Sequence, residues 1–239
     1  RNALTVMNDT TSVIVGIIGL LTMLVWRMRS RDLTVLWFGA ACLAWAFRGW
    51  AYQAFVYPLP ALAMEQINPW MVLTTITCVA LTSLHSMGRA TVGRLRVIGG
   101  VYLVVVTGLA AALLLDHGSG PFRSLAYAIA FVLACYLLFL TARHWLLHRH
   151  ISHALLVMGL LGLIAGALHD MGMVAGLVSP DHWSILTPAF SLMLLAHTVA
   201  VSIYLGRSLN RAETANEELE RNIAAKSREL EQSLSLIHI

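Results

Sequence analysis

Charge is what this sequence has least of. Only 12% of the 239 residues are Asp, Glu, Lys or Arg, whereas 58% are hydrophobic, and the mean hydropathy is +0.74. A soluble globular domain carries about 25% charged residues, so there is too little charge here to cover a water-facing surface. Lysine is nearly absent: Lys226 is the only one, and arginine supplies the rest of the positive charge. Cysteine is scarce as well. Cys42, Cys78 and Cys135 fall singly inside apolar stretches. They lack the paired spacing of a zinc site and read as small core residues. The pI near 9.3 does not point to nucleic acid, because the basic residues stand at the ends of apolar runs and form no single patch.

What is present is apolar length. A helix of about 20 apolar residues crosses a bilayer, and runs of that order recur near 10–27, 33–56, 67–88, 95–115, 122–146, 153–178 and 183–207. Turn chemistry separates several of them: Pro58 and Pro60, then Gly118-Ser119-Gly120-Pro121, then Ser179-Pro180-Asp181. Pro121 suits the first turn of a helix, where its missing N–H costs nothing. The expected fold class is all-α, a bundle of seven transmembrane helices. The chain opens at Arg1 without an initiator methionine or a positively charged leader, and is expected to be a fragment of a longer protein.

Arginine placement predicts direction. Arg27, Arg29, Arg31, Arg89, Arg94, Arg96, Arg143 and Arg149 fall in alternate connections, whereas the intervening ones hold Glu65, Asp116, Arg123 and Asp181. Cytoplasmic loops are the arginine-rich ones, so the N-terminus is expected outside and the C-terminus in the cytoplasm. Tyr52, Tyr57, Trp70 and Trp183 would then anchor one interface, and Trp26, Trp37 and Trp145 the other.

After Arg207 the composition turns polar and no Gly or Pro interrupts it up to about Leu234. The seventh span can therefore run on as one helix. This divides the chain into a membrane region, 1–207, and a cytoplasmic helix, 208–239. Leu209, Asn216, Ile223 and Leu230 recur every seven residues as a positions, with Ala212, Leu219, Lys226 and Ser233 at d. That is the pattern of a dimeric coiled coil, and an Asn at a fixes register at some cost in stability. The expected seam is Leu209, Ala212, Asn216, Leu219, Ile223 and Leu230. A single helix lying on the membrane is the other reading, but Glu213, Glu217, Glu218, Glu220, Glu229 and Glu231 oppose binding to anionic lipid.

Charged groups inside a span are costly and face the bundle or a wet cavity. Arg48 in span two, and His169 and Asp170 in span six, come out at a similar depth, roughly 23–25 Å from the cytoplasmic edge at 1.5 Å per residue. An Arg48–Asp170 pair is therefore geometrically open. Trp45, Arg48 and Tyr52 share one helix face. These five residues form the candidate ligand site, with a structural ion pair as the competing reading. Gly162 and Gly166, and Gly172 and Gly176, have the spacing of close helix contact, which predicts a central span six. Pro188 and Ser191 could bend span seven.

Other histidines give weaker leads. His85 and His197 could ligate a haem, although packed or interfacial roles are commoner. His144, His148, His150 and His153 could hold a metal, but with no Cys or carboxylate among them they read as a solvated loop. No cofactor, metal or catalytic residue is expected. A retinal Schiff base is excluded, since it requires a lysine in span seven.

The run Arg207-Ser208-Leu209-Asn210-Arg211-Ala212-Glu213-Thr214-Ala215-Asn216-Glu217-Glu218-Leu219-Glu220, with Lys226-Ser227-Arg228-Glu229-Leu230 after it, resembles the exit helix of bacterial seven-transmembrane sensors. The His169-Asp170 pair resembles those receptors too. The resemblance implies the sensor region of an inner-membrane receptor whose output domain is a histidine kinase or a diguanylate cyclase. It implies as partners a second copy of the chain, the bilayer, and a small-molecule or lipid ligand, with no nucleic acid. No phospho-acceptor box, ATP-binding glycines or cyclase motif occurs in the sequence. A haem protein using His85 and His197, and a small transporter using Arg48 and Asp170, are the alternatives.

Overall fold

Hydrocarbon leaves a chain no partner for its backbone except itself, so apolar runs of this length must close their own hydrogen bonds as helices. A computed structural model describes residues 3–30, 32–53, 61–114, 120–174, 176–177 and 185–237. Its helices are α1 (Ala3–Val25), continued by a π-helical turn at Trp26–Ser30, then α2 (Leu33–Gln53), α3 (Ala61–Ser86) and α4 (Val92–Leu114). They are followed by α5 (Gly120–His148), α6 (Ile151–Val174) and α7 (Leu186–Ile237). All seven are long and apolar enough to cross a membrane, and no strand occurs among the described residues. Pro58, Pro60, Gly118, Ser119 and residues 179–181 lie outside the described residues.

Local chemistry sets the helix ends. The Asp32 carboxylate accepts the Thr34 N–H at 2.8 Å and so caps α2. Pro121 stands in the first turn of α5. Gly88 closes α3 with a positive φ of 65°: the Arg89 N–H reaches back to Leu84 O and the Gly88 N–H to His85 O. Gly176 repeats the arrangement after α6, with φ 73° and bonds from Leu177 to Gly172 and from Gly176 to Met173. Both close a helix with paired bonds of the Schellman kind, which need a residue at positive φ. Gly176 is therefore a helix terminator, and a Cβ there would meet nothing within 4 Å.

α3 begins at Ala61, six residues before the start read from hydropathy, and carries Pro69 in its interior. From Ile67 to Ser86 it is also the most enclosed of the seven spans. α1 packs on α2, α2 on α3, α3 on α4 and α5, and α5 on α6. The central helix is thus α3 rather than α6. Threonines at 22, 74, 75, 82 and 198 donate to carbonyls four residues back, which satisfies each hydroxyl within its own helix.

The chain divides into two compact units, Arg1–Val201 and Ser202–Ile239. The boundary falls six residues before the compositional change at Arg207. The second unit is helical up to Ile237. On it Leu219, Ile223 and Leu230 are 56%, 61% and 64% exposed, so these three side chains of the heptad pattern have little cover within one chain, whereas Leu209 is half-buried. Arg221 pairs with Glu217 one turn earlier, and Asn216 donates to Glu220.

Candidate functional site

Inside an apolar bundle each polar side chain must find a partner or lose hydrogen-bond energy that water would otherwise supply. The partners found here converge on the membrane part of α7. Arg48 is 8% exposed, and its guanidinium lies over the Trp45 ring, 4.4 Å from the centroid. One helical turn separates the two, so the shared face read from the sequence is present. Arg48 Nε donates to Asn68 Oδ1 at 2.6 Å, and Asn68 Nδ2 donates to the Tyr127 hydroxyl at 2.7 Å. The chain of contacts thus links α2, α3 and α5 through residues that alternate charged, amide and phenol.

Trp45 carries the network onto α7. Its ring stacks on Phe190, with centroids 4.2 Å apart and planes 18° from parallel. Its Nε1–H donates to Ser191 Oγ at 3.3 Å, and Ser191 in turn donates to Thr187 O. Trp45 and Phe190 are 1% and 3% exposed, so this contact lies in the dry interior, where an indole N–H needs its acceptor. The side chain of Tyr52, the third residue of the predicted wall, lies outside the described residues.

Asp170 belongs to a second contact with α7. Its Oδ1 lies 3.2 Å from His169 Nδ1 and accepts the Ile185 N–H at 3.0 Å. Ile185 directly precedes α7, so a carboxylate from α6 satisfies an orphan donor at the positive end of the helix. Asn68 and Trp45 engage the guanidinium, while α7 engages the carboxylate.

Glycines on α6 bring it close to α7. A Cβ at Gly166 would meet Ala189 Cβ at 3.0 Å and Ile185 O at 3.3 Å, and one at Gly159 would meet Met193 Cα at 3.2 Å. A Cβ at Gly162 would meet nothing within 4 Å. The contact stripe is therefore Gly159 and Gly166, two helical turns apart, and not the four-residue pair.

Further along α7, His197 is 1% exposed; Nδ1 lies 3.3 Å from Met193 O, and Nε2 lies 3.3 Å from Ser83 Oγ. A carbonyl only accepts, so Nδ1 carries the hydrogen and Nε2 accepts from Ser83. Both nitrogens are then engaged, and His197 ties α7 to α3 through Ser83. Among the described residues no three of His, Cys, Asp or Glu are arranged to hold a metal ion.

Asn68, Tyr127, Phe190 and Ser83 were not read from the sequence as site residues. Asn68 was the findable one, an amide next to Pro69 at the edge of an apolar run. The others are single aromatic or hydroxyl residues with no pattern of their own. Together these contacts describe a helix gripped at three levels by its neighbours: at Ile185, at Phe190 and Ser191, and at His197. The chain matches no family model, no curated protein and no solved structure.

Proposed function

We propose that this chain is the membrane sensor and dimerisation region of a bacterial inner-membrane signalling receptor, with a histidine kinase as its output and a diguanylate cyclase as the alternative output. The observation that carries the reading is the composition of α7. It is one helix of 52 residues, more than twice the length that a bilayer needs. Its first part is gripped by Trp45, Asp170 and Ser83, and its last part bears the heptad pattern of Leu209, Ala212, Asn216, Leu219, Ile223 and Leu230. The haem and transporter readings do not explain such an extension.

In this reading the arginine-rich connections face the cytoplasm and the N-terminus lies outside. A ligand, a small molecule or a lipid, or a change in the membrane itself, acts near Arg48, His169 and Asp170. It favours one packing of α7 over another, and a ligand shifts such an equilibrium only by binding the two states unequally. Rotation or sliding of α7 then changes how two copies pair beyond Arg207, and so changes the output domain.

Single cysteines at 219, 223 and 230 in native membranes report that pairing. Trp45→Phe, which removes the bond to Ser191, and Asp170→Asn, which weakens the one to Ile185, are expected to redistribute cross-linking among the three positions. An unchanged distribution in both variants, at unchanged protein level, would contradict transmission through α7.

A further inference from the structure

Two basic stretches that stand far apart in the sequence meet in the fold. The turn from α3 into α4 carries Arg89, Arg94 and Arg96, and the corner from α5 into α6 carries Arg143 and Arg149. Leu84 and Met87 of the first stretch pack with Leu140 of the second, and Ala90 and Ile98 lie against them. The Arg89 charge acts on His144, whose ring centroid is 4.3 Å from that of His148 and 4.5 Å from that of His153. Turn and corner therefore form one surface.

These four helices hold no charge to balance it. α3 beyond Glu65, α4, α5, and α6 before Asp170 contain no Asp or Glu, and Asp170 stands toward the other end of α6. Among the described residues no ion pair includes any of the five arginines. Arg94 donates to the Arg89 carbonyl at 3.2 Å, a neutral acceptor that leaves its charge unmatched. The surroundings are apolar: Val92, Val97, Leu146, Leu147 and Ile151 are 61% to 67% exposed. A soluble anion has no use for such a border, whereas a phospholipid brings acyl chains together with its phosphate.

We infer that this surface binds the headgroup of an acidic phospholipid, with the arginines of the turn and of the corner supplying the counter-charge to the phosphate. Basic pockets between membrane helices hold acidic headgroups in this way. The site is separate from Arg48 and Asp170 and does not depend on the sensor reading.

The test uses the full chain in nonionic detergent. The probes are phosphatidylglycerol with a dansyl group on one acyl chain and phosphatidylcholine labelled in the same way. Energy transfer from the tryptophans reports binding, and phosphatidylglycerol should bind much the tighter. Arg89→Gln and Arg94→Gln should each weaken it about fivefold, the weight of one basic residue at an anionic membrane surface. Arg94→Gln also gives up the bond to Arg89 O, so Arg149→Gln, which alters an exposed side chain, repeats the test on the α5–α6 side. Helical circular dichroism checks each fold. Arg27→Gln, at the end of α1, should leave binding unchanged. Equal binding of the two lipids, or an equal loss in Arg27→Gln and in the folded surface variants, would overturn a site here. Displacement of the labelled lipid by inorganic phosphate at the same concentration would overturn the lipid as its occupant.

Discussion

Replacing Trp45 separates the two kinds of contact that hold α7 at its second level. The indole is 1% exposed, stacks on Phe190 at 4.2 Å, lies 4.4 Å beneath the Arg48 guanidinium and donates to Ser191 at 3.3 Å. Trp45→Phe keeps a ring in the stack and under the guanidinium. It loses one hydrogen bond, worth about 0.6 kcal/mol in a membrane protein. With the small gap left by the lesser ring, the total is about 1–2 kcal/mol. Trp45→Ala loses the whole ring, at about 3–5 kcal/mol. That figure includes a stacking contribution of about 0.5–1.5 kcal/mol and a desolvated cation–π contact of about 2 kcal/mol. The two variants should therefore differ by about 2–3 kcal/mol. Unfolding by titration with sodium dodecyl sulfate, followed by helical circular dichroism, measures both. A double-mutant cycle of Trp45→Phe with Ser191→Ala should return a coupling near the hydrogen-bond value. Equal and mild effects of Phe and Ala at 45 would refute the view that α7 is held through this residue.

Three further outcomes follow from the packing. Gly166→Leu should destabilise the bundle by about 1–3 kcal/mol through overpacking, because a Cβ there already meets Ala189 and the Ile185 carbonyl. Gly162→Leu should be nearly neutral in the same titration, since the position is open. Gly49→Ala should destabilise by a similar amount, because the added Cβ overlaps Ser12 Oγ; adding Ser12→Gly should restore most of the loss, and an unrepaired double variant would refute the assignment. Asn68→Ala should cost about 1–3 kcal/mol by removing the bonds to both Arg48 Nε and the Tyr127 hydroxyl, whereas Tyr127→Phe, which removes only one of them, should cost less.

The seven helices were legible because hydrocarbon leaves so few alternatives. Apolar length and turn residues such as Pro121 mark elements that no tertiary detail can move far. The start of α3 was not legible, because Glu65 and Gln66 interrupt the apolar run from which the span was read. Within the candidate site, Arg48 and Trp45 were legible as one face of α2. Asn68 and Tyr127, the partners described for this face, were not. A charge in an apolar span directs attention to opposite charges such as Asp170, whereas the neutral amide of Asn68, which accepts from Arg48, gives no such signal. Asp170 has a role that no depth argument reveals, since capping α7 depends on where Ile185 begins the next helix. The glycines of α6 show the same limit. Four-residue spacing states which helix faces could approach, but only the neighbour decides that Gly159 and Gly166 are the ones used.

The pairing of α7 beyond Arg207 is the most direct point of test for the sensor reading. With Cys42, Cys78 and Cys135 replaced, single cysteines placed from 219 to 230 in native membranes should form disulfides efficiently at 219, 223 and 230 and poorly at 221 and 228. Uniformly poor cross-linking, or equal yields at all five positions, would contradict a parallel dimeric exit helix and with it the assignment of this chain to a signalling receptor.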